Sequence, residues 1–341
     1  MPGSAPLAAP LTFSPCVKDY MWGGRRLGPL TGRTLPSEIV AETWEISGHP
    51  AGPSVVDSGP LEGRDLPSLV AEYGAALVGR RGVEAGAAAG ATGAFPLLVK
   101  LLDANHALSV QVHPGDDHAA ERGLGEPGKT EMWYILEAGP GARIIHGLQP
   151  GTDREALRSA ALEGRLQDRL RRLAVRPGDA VMVPAGTVHG ILSGIVLVEV
   201  QQSADTTYRI HDWGRTGPDG RPRELHIGRA MEVIDFGGPG PGVVEPRAVE
   251  AGPGVRREVI AECDKFVVER LAVRAGAEFG MILGGETFEA WGVVAGEAVF
   301  AAQGSPPLGV GAVGFALLPA AMGPCRVGAA ADSVLLRSYL P

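Results

Sequence analysis

Short apolar runs separated by glycine and proline constrain this chain more than any other feature. The 50 glycines and 28 prolines are spread as punctuation between runs such as PLLVKLLDA, AVMVP and IVLVEVQQ, and are not gathered in one tract. Such punctuation reads as many short strands joined by turns. No fixed-length period recurs, so two barrels of one general type fit better than a solenoid or a propeller. With 341 residues and 45% hydrophobic content the chain has material for one large domain or two ordinary ones.

Two stretches leave the strand pattern. Leu66 to Arg81 carries Leu69, Val70, Tyr73, Ala76 and Leu77 at helical spacing and predicts one amphipathic helix. Residues 153–173 carry Leu157, Ala161, Leu166, Leu170 and Leu173 on or near one face, which predicts a helical insertion in a β domain. The Gly/Ala-rich run 85–94 is expected to be a flexible loop, and the Ala- and Pro-rich start to be loose as far as Phe13. The Gly/Pro-rich stretch DFGGPGPGVVEPRAVEAGPG then separates a first unit, 13–240, from a smaller β unit, 250–341, with the runs KFVVERLAV, FEAWGVVAGEAVF and SVLLRSYL.

Charge narrows the function classes. The net charge of -8 comes from mixed charges along the chain, with no block of Lys and Arg to neutralise a nucleic-acid backbone. No apolar run approaches the roughly 20 residues that span a bilayer, and no leader pattern opens the chain. The expectation is a cytoplasmic protein without nucleic-acid or membrane partners, monomeric or homodimeric. Cys16, Cys263 and Cys325 are odd in number and far apart, which predicts idle thiols and neither a disulfide framework nor a zinc knuckle.

The segment LSVQVHP places Gln111 and His113 two residues apart in an alternating run, so both project from one face of a strand. Glu131 opens the strand-like run EMWYIL. His189 ends PGDAVMVPAGTVHG, where Pro184 and Gly186 mark a turn that delivers an imidazole at a strand end. Two imidazoles, a carboxylate and an amide oxygen with open positions suit Zn²⁺ as a Lewis acid. Singly, each histidine is more often a hydrogen-bonded structural residue; it is the combined spacing that favours a metal.

That spacing also resembles known families. Gly178, five residues, Pro184, one residue, Gly186, two residues and His189 resemble the second signature segment of the cupins. The first cupin segment normally carries two His and a nearby Glu. Here Gln111 replaces one His and Glu131 lies further on. WGG at Trp22–Gly24, TWEISGHP from Thr43, FPLLVKLLDA from Phe95, SVQVHP, GKTEMWYI from Gly128, VPAGTVH and QQSADTTYRIHDW from Gln201 together resemble the mannose-6-phosphate isomerases, in their short bacterial form, over about Phe13 to Arg229. The resemblance implies a mainly β protein: a jelly-roll cupin barrel with helical insertions and a second, smaller cupin-like barrel. It implies one catalytic zinc per chain on Gln111, His113, Glu131 and His189, a donor set that other divalent ions would also fit.

The implied reaction interconverts the aldose mannose 6-phosphate and the ketose fructose 6-phosphate through a cis-enediol. Such chemistry needs an oxyanion stabilised and a weakly acidic proton moved. The resemblance carries the catalytic Arg onto Arg209 in TTYRIHDW, and an active-site Lys onto Lys129. Lys100 interrupts an apolar strand, where burying an ammonium is costly, so it is expected to serve the phosphorylated substrate. Ser109 shares the face of Gln111 and His113 and is a candidate sugar or phosphate contact; Trp22 and Trp44 offer faces for stacking on sugar C–H surfaces or belong to the core. His211 stands where Tyr is common in the family. Two other readings are a non-catalytic metal-containing sugar-phosphate-binding bicupin and an iron-dependent dioxygenase. The second is disfavoured by Gln111 and by the cations Lys100, Lys129 and Arg209.

Overall fold

The computed structural model describes residues 7–88, 93–217, 220–237 and 242–341. The chain first runs through β1 (Phe13–Ser14), β2 (Cys16–Lys18), α1 (Leu27–Thr31), β3 (Glu42–Ser47), β4 (Val55–Val56), α2 (Leu66–Tyr73) and α3 (Ala75–Ala88). Next come β5 (Leu97–Ala104), β6 (Val110–Val112), α4 (Asp116–Glu121), β7 (Glu131–Ala138), β8 (Arg143–Leu148), α5 (Arg154–Leu162) and β9 (Leu170–Ala174). The first half closes with β10 (Ala180–Val183), β11 (His189–Ile191), β12 (Ile195–Gln202), β13 (Tyr208–His211) and α6 (Ile227–Val233). The rest is strand: β14 (Arg247–Val249), β15 (Val255–Glu262), β16 (Val267–Val273), β17 (Glu278–Leu283), β18 (Glu289–Ala295), β19 (Ala298–Ala302), β20 (Leu308–Val310), β21 (Gly314–Leu318), β22 (Gly323–Ala329) and β23 (Ser333–Tyr339).

These strands build the same object twice. In the first half, one sheet has the order β10-β7-β12-β5-β3-β2 and faces another of order β13-β6-β11-β8-β9. In the second half the orders are β21-β18-β23-β16-β15-β14 and β17-β22-β19-β20. Strands β5 to β12 and β16 to β23 therefore take corresponding places in two antiparallel jelly-roll barrels, the cupin architecture expected from the sequence.

Alternation along the strands decides what each face does. In β5, Leu97, Val99 and Leu101 join Val196, Val198 and Val200 of β12 in a core shared with Ile260, Val268, Phe288, Phe315 and Leu336 of the second barrel. The large sheets of the two barrels thus pack back to back. With both faces covered, β5 and β12 are buried along their whole length, which is why their sequences read as continuous apolar runs. Leu102, Trp133, Ile135 and Leu197 point the other way, into the first barrel. Helices α5 and α6 cover the outside of its smaller sheet through Leu157, Ala230 and Met231.

Several sequence expectations need correcting. The helix expected from Leu66 to Arg81 is two: α2, capped by the Asp65 carboxylate on the Ser68 amide at 2.7 Å, ends at Gly74, and α3 follows. Inside α3 the backbone breaks at Gly79, with φ of 79°, where a Cβ would stand 2.5 Å from the Glu286 carbonyl oxygen. This break lets the Arg80 and Arg81 amides bond Gly285 and Glu286 of the second barrel. Helix α3 continues to Ala88, into the run expected to be loop; residues 89–92 of that run lie outside the described residues. In the expected insertion only α5 and a 3-10 turn, Leu166–Arg169, are helical, because Leu170–Ala174 finds backbone partners on β8. Leu7 and Leu11 are buried, and Leu11 exchanges both backbone hydrogen bonds with Leu317, so the chain is anchored before Phe13.

Candidate active site

Ladder registers set two rows of side chains facing each other inside the first barrel. On the small sheet His189, Gln111 and Arg209 stand abreast on β11, β6 and β13. On the large sheet Trp133, Glu199, Lys100 and Trp44 stand abreast on β7, β12, β5 and β3. Glu131 lies one pleat from Trp133 on the same face. His113 follows β6, held where the Gly186 amide bonds its carbonyl at 2.9 Å. Gly128 sets the approach of Lys129: a Cβ there would stand 2.4 Å from the Asp116 amide nitrogen, so only glycine lets the two loop backbones meet.

His113, Glu131 and His189 converge, with ligand atoms all within 4.8 Å of one another and all three residues buried. His113 Nε2 is 3.6 Å from Glu131 Oε2, and His189 Nε2 is 3.4 Å from Glu131 Oε1. Each Nδ1 donates to a backbone carbonyl 2.9 Å away, Thr206 for His113 and Thr187 for His189. This fixes the tautomer that turns both Nε2 lone pairs inward. Burial, reinforced by the Lys129 charge, holds the His113 pKa well below its ordinary value; burial holds that of His189 at about 3, so both rings are neutral. Burial, with Glu199 next, pushes the Glu131 carboxyl up to about 7.

His113 Nε2 and both Glu131 oxygens have no hydrogen-bond partner, although Lys129 Nζ comes to 3.2 Å from Oε2 without hydrogen-bond alignment. Buried polar atoms are almost always satisfied. Three orphans from one imidazole and a carboxylate, converging with the inward-facing His189 Nε2, fit a divalent cation. Gln111 stands beside them with its Nε2 3.3 Å from His189 Nε2, while its Oε1 accepts from the Ser109 hydroxyl at 3.0 Å. The amide group therefore turns the nitrogen, not the expected oxygen, toward the histidine. Exchanging the two ends by a half-turn keeps the Ser109 bond, with the hydroxyl accepting, and aims the oxygen inward.

Above this cluster a cavity of about 320 Å³ is lined by the expected residues Trp22, Lys100, Ser109, Gln111, Lys129, His189 and Arg209. A slightly larger cavity, about 340 Å³, opens near Phe95, Asp116 and Lys265 at the seam of the barrels. No metal-binding cluster lies there among the described residues, so size does not locate the chemistry. Lys100 lies 3.4 Å from Glu199, 3.7 Å from Glu42 and 4.9 Å from the centre of the Trp44 ring. Burial alone would lower its pKa, but Glu42 and Glu199 outweigh it and keep the ammonium charged. Trp44 donates to Glu42 at 2.7 Å and Trp133 to Glu199 at 2.9 Å, so Trp44 acts as a buried support beneath the cavity.

Sequence reasoning missed Tyr20, Glu42, Glu199, Asp205, Thr207 and Arg223 on the cavity wall. Glu199 had a signal, a lone charge in the apolar run IVLVEVQQ, the same kind that marks Lys100. Arg223 had none, because it comes from a loop. His211 stacks edge-on against Trp213 at 4.9 Å, and its Nε2 is buried without a partner.

The corresponding place in the second barrel holds different chemistry. There Trp291, Arg337 and Glu269 stand abreast on β18, β23 and β16, matching Trp133, Glu199 and Lys100 of the first. Glu289, like Glu131, lies one pleat before the tryptophan. Arg337 donates to both Glu289 and Glu269, Tyr339 donates to Glu269, and Trp291 donates to Glu289. A guanidinium closes this second site, and no histidine follows His226 to rebuild a metal cluster.

The chain is similar to several known proteins. Residues 11–131 match the family described as phosphomannose isomerase type I, catalytic domain. The mannose-6-phosphate isomerase of Streptococcus mutans is 42% identical over 233 residues, which cover 68% of this chain and 70% of that protein. Mannose-6-phosphate isomerase ManA of Bacillus subtilis is 42% identical over 226 residues, covering 66% of this chain and 68% of that protein. The crystal structure of the mannose 6-phosphate isomerase from Bacillus subtilis superposes with a TM-score of 0.84 at 32% identity, covering 97% of this chain and 99% of that one. The sequence similarity over two thirds of these relatives, with the shared two-barrel structure, establishes that this chain belongs to the mannose-6-phosphate isomerase family.

Proposed function

We propose that this protein interconverts mannose 6-phosphate and fructose 6-phosphate through a cis-enediol, with one zinc ion held by Gln111, His113, Glu131 and His189. The observation that carries this reading is the set of orphaned, buried atoms of His113 and Glu131 that converge with His189, which itself lines a cavity bearing Lys100, Lys129 and Arg209. A bound zinc ion would supply Lewis-acid stabilisation of negative charge on the sugar oxygens. Arg209, abreast of Gln111, places a guanidinium over the same region and adds charge stabilisation to the enediolate. Lys100, held as an ammonium, serves as a hydrogen-bond donor and not as a base. Ser109 orients the Gln111 amide, and Trp22 closes the wall against which a sugar face packs.

Residues 13–240 form the unit that performs this chemistry, and residues 250–341 form a barrel that buries its back. No helix among the described residues is long and apolar enough to cross a membrane. A coupled assay of mannose 6-phosphate isomerisation on the purified protein, before and after chelation and after zinc is restored, tests the reading. Activity should vanish with the metal and return with it. No turnover of either sugar phosphate by fully zinc-loaded protein would overturn it.

A further inference from the structure

A phosphorylated sugar needs cations that are not already spent, because a dianion loses its water on entering the cavity. The sequence offered Lys100 and Lys129 for this role. The structure places Lys100 between Glu42 and Glu199, and Lys129 beside Glu131. A phosphate reaching either ammonium must compete with carboxylates already in place.

The opposite wall is different. Arg209 and Arg223 both line the cavity there. Arg209 bonds the Glu224 carbonyl at 3.0 Å, its Nε is buried without a partner, and no carboxylate among the described residues lies within 4 Å of its guanidinium. Arg223 donates through Nε and NH2 to Asp212 at 2.7 and 2.5 Å. The same carboxylate also takes Arg215, whose NH1 is spent on the Ala107 carbonyl at 2.6 Å. Arg215 and Arg223 thus share one carboxylate while Arg209 stands near them without one, its pKa lowered by burial and by the Arg223 and Arg215 charges, so the three guanidiniums carry more positive charge than Asp212 balances. Two of the three face the cavity. Asp212 fixes the Arg223 fork from behind through Nε and NH2, so its NH1 edge is the one left to reach an incoming anion.

We propose that Arg223 anchors the substrate's phosphate, next to Arg209, and so sets the preference for phosphorylated over unphosphorylated hexose. This rests on the isomerase reading only for the identity of the sugar; the anion site stands on the arginine cluster itself. Asp212 is a positioning residue in this arrangement. Lys100 and Lys129 serve the sugar end and the metal ligands.

The test uses the full chain, zinc-loaded, with Arg223→Gln and Arg223→Lys, and Arg215→Gln as the control that disturbs Asp212 without touching the cavity wall. Kinetics with mannose 6-phosphate are read beside inhibition by inorganic phosphate, and calorimetry measures phosphate binding without turnover. Arg223→Gln should raise both KM and the phosphate inhibition constant about ten- to hundredfold with kcat little changed. Arg223→Lys should recover part of the loss, and Arg215→Gln should leave phosphate binding within about twofold of the parent protein. Equal losses in Arg223→Gln and Arg215→Gln would overturn the proposal, since the effect would then run through the Asp212 network. So would a fall in kcat with KM and the inhibition constant unmoved, or a parent protein that binds no phosphate. Phosphate binding that is lost in Arg223→Gln, in a parent protein without isomerase activity, would uphold the anion site while the isomerase reading failed.

Discussion

At the residue scale, the site depends on partners behind the ligands as much as on the ligands. Ser109 Oγ holds the Gln111 amide, and such supporting contacts commonly contribute 10- to 100-fold to metal affinity. Ser109→Ala should lower zinc affinity within about that range while the fold is retained, as read by competition with a chromogenic chelator. If the proposed zinc site is right, His189→Ala removes one of its ligands; metal analysis of the purified variant should find far less than one zinc per chain, and isomerase activity should be lost with it. Gln111, His113, Glu131 and His189 were legible in the sequence because strand alternation and a Pro-Gly turn fix where their side chains point. Arg223, Asp205 and Tyr20 were not, because a loop residue acquires a direction only from what it packs against.

At the element scale, two loops carry the site and can be tested separately. The loop before β7 fits only because Gly128 has no side chain. Gly128→Ala should destabilise the protein by about 1–3 kcal/mol in urea unfolding and reduce activity by moving Lys129 and Glu131. Glu126 ties the segment before β13, accepting from the Asp205 and Thr206 amides and contacting His49 Nε2 at 3.1 Å. Burial would raise its pKa, but these hydrogen bonds outweigh burial and hold the carboxyl down at about 2. A depressed acid stabilises the fold fully above its unfolded value, near 4.5, and loses that contribution as pH falls toward 2. Glu126→Gln should therefore lower stability at pH 7 while flattening the acid limb between about pH 4.5 and 2, as read by circular dichroism across pH. The helical and strand periods of Leu170 and Leu173 cannot be separated in so short a run. The partner strand β8 resolves that ambiguity.

At the scale of the whole molecule, the two barrels share one continuous core, and Phe95 meets Phe288 across it with ring centres 4.5 Å apart. Phe288→Ala should cost about 3–5 kcal/mol. Because the core runs through both units, the barrels should still unfold in one transition, coincident by tryptophan fluorescence and by loss of activity. In the second barrel Arg337 stabilises two buried carboxylates, so Arg337→Ala should be strongly destabilising, by about 3–5 kcal/mol, with zinc content unchanged. A variant that loses zinc together with stability would show that the second barrel does more than cover the first.

The amino-acid sequence by itself determined the strand-rich class and marked Gln111, His113, Glu131 and His189 as candidate ligands, of which His113, Glu131 and His189 converge. These depend on local alternation and turn chemistry, which neighbouring residues carry. Tertiary structure alone decided that the large sheets pack back to back, that α3 breaks at Gly79 to dock on the second barrel, that Lys100 is spent on Glu42 and Glu199, and that Arg223 joins Arg209. Each of these pairs groups far apart in the chain, and charge balance inside a cavity is a property of the assembled walls, which no single segment contains.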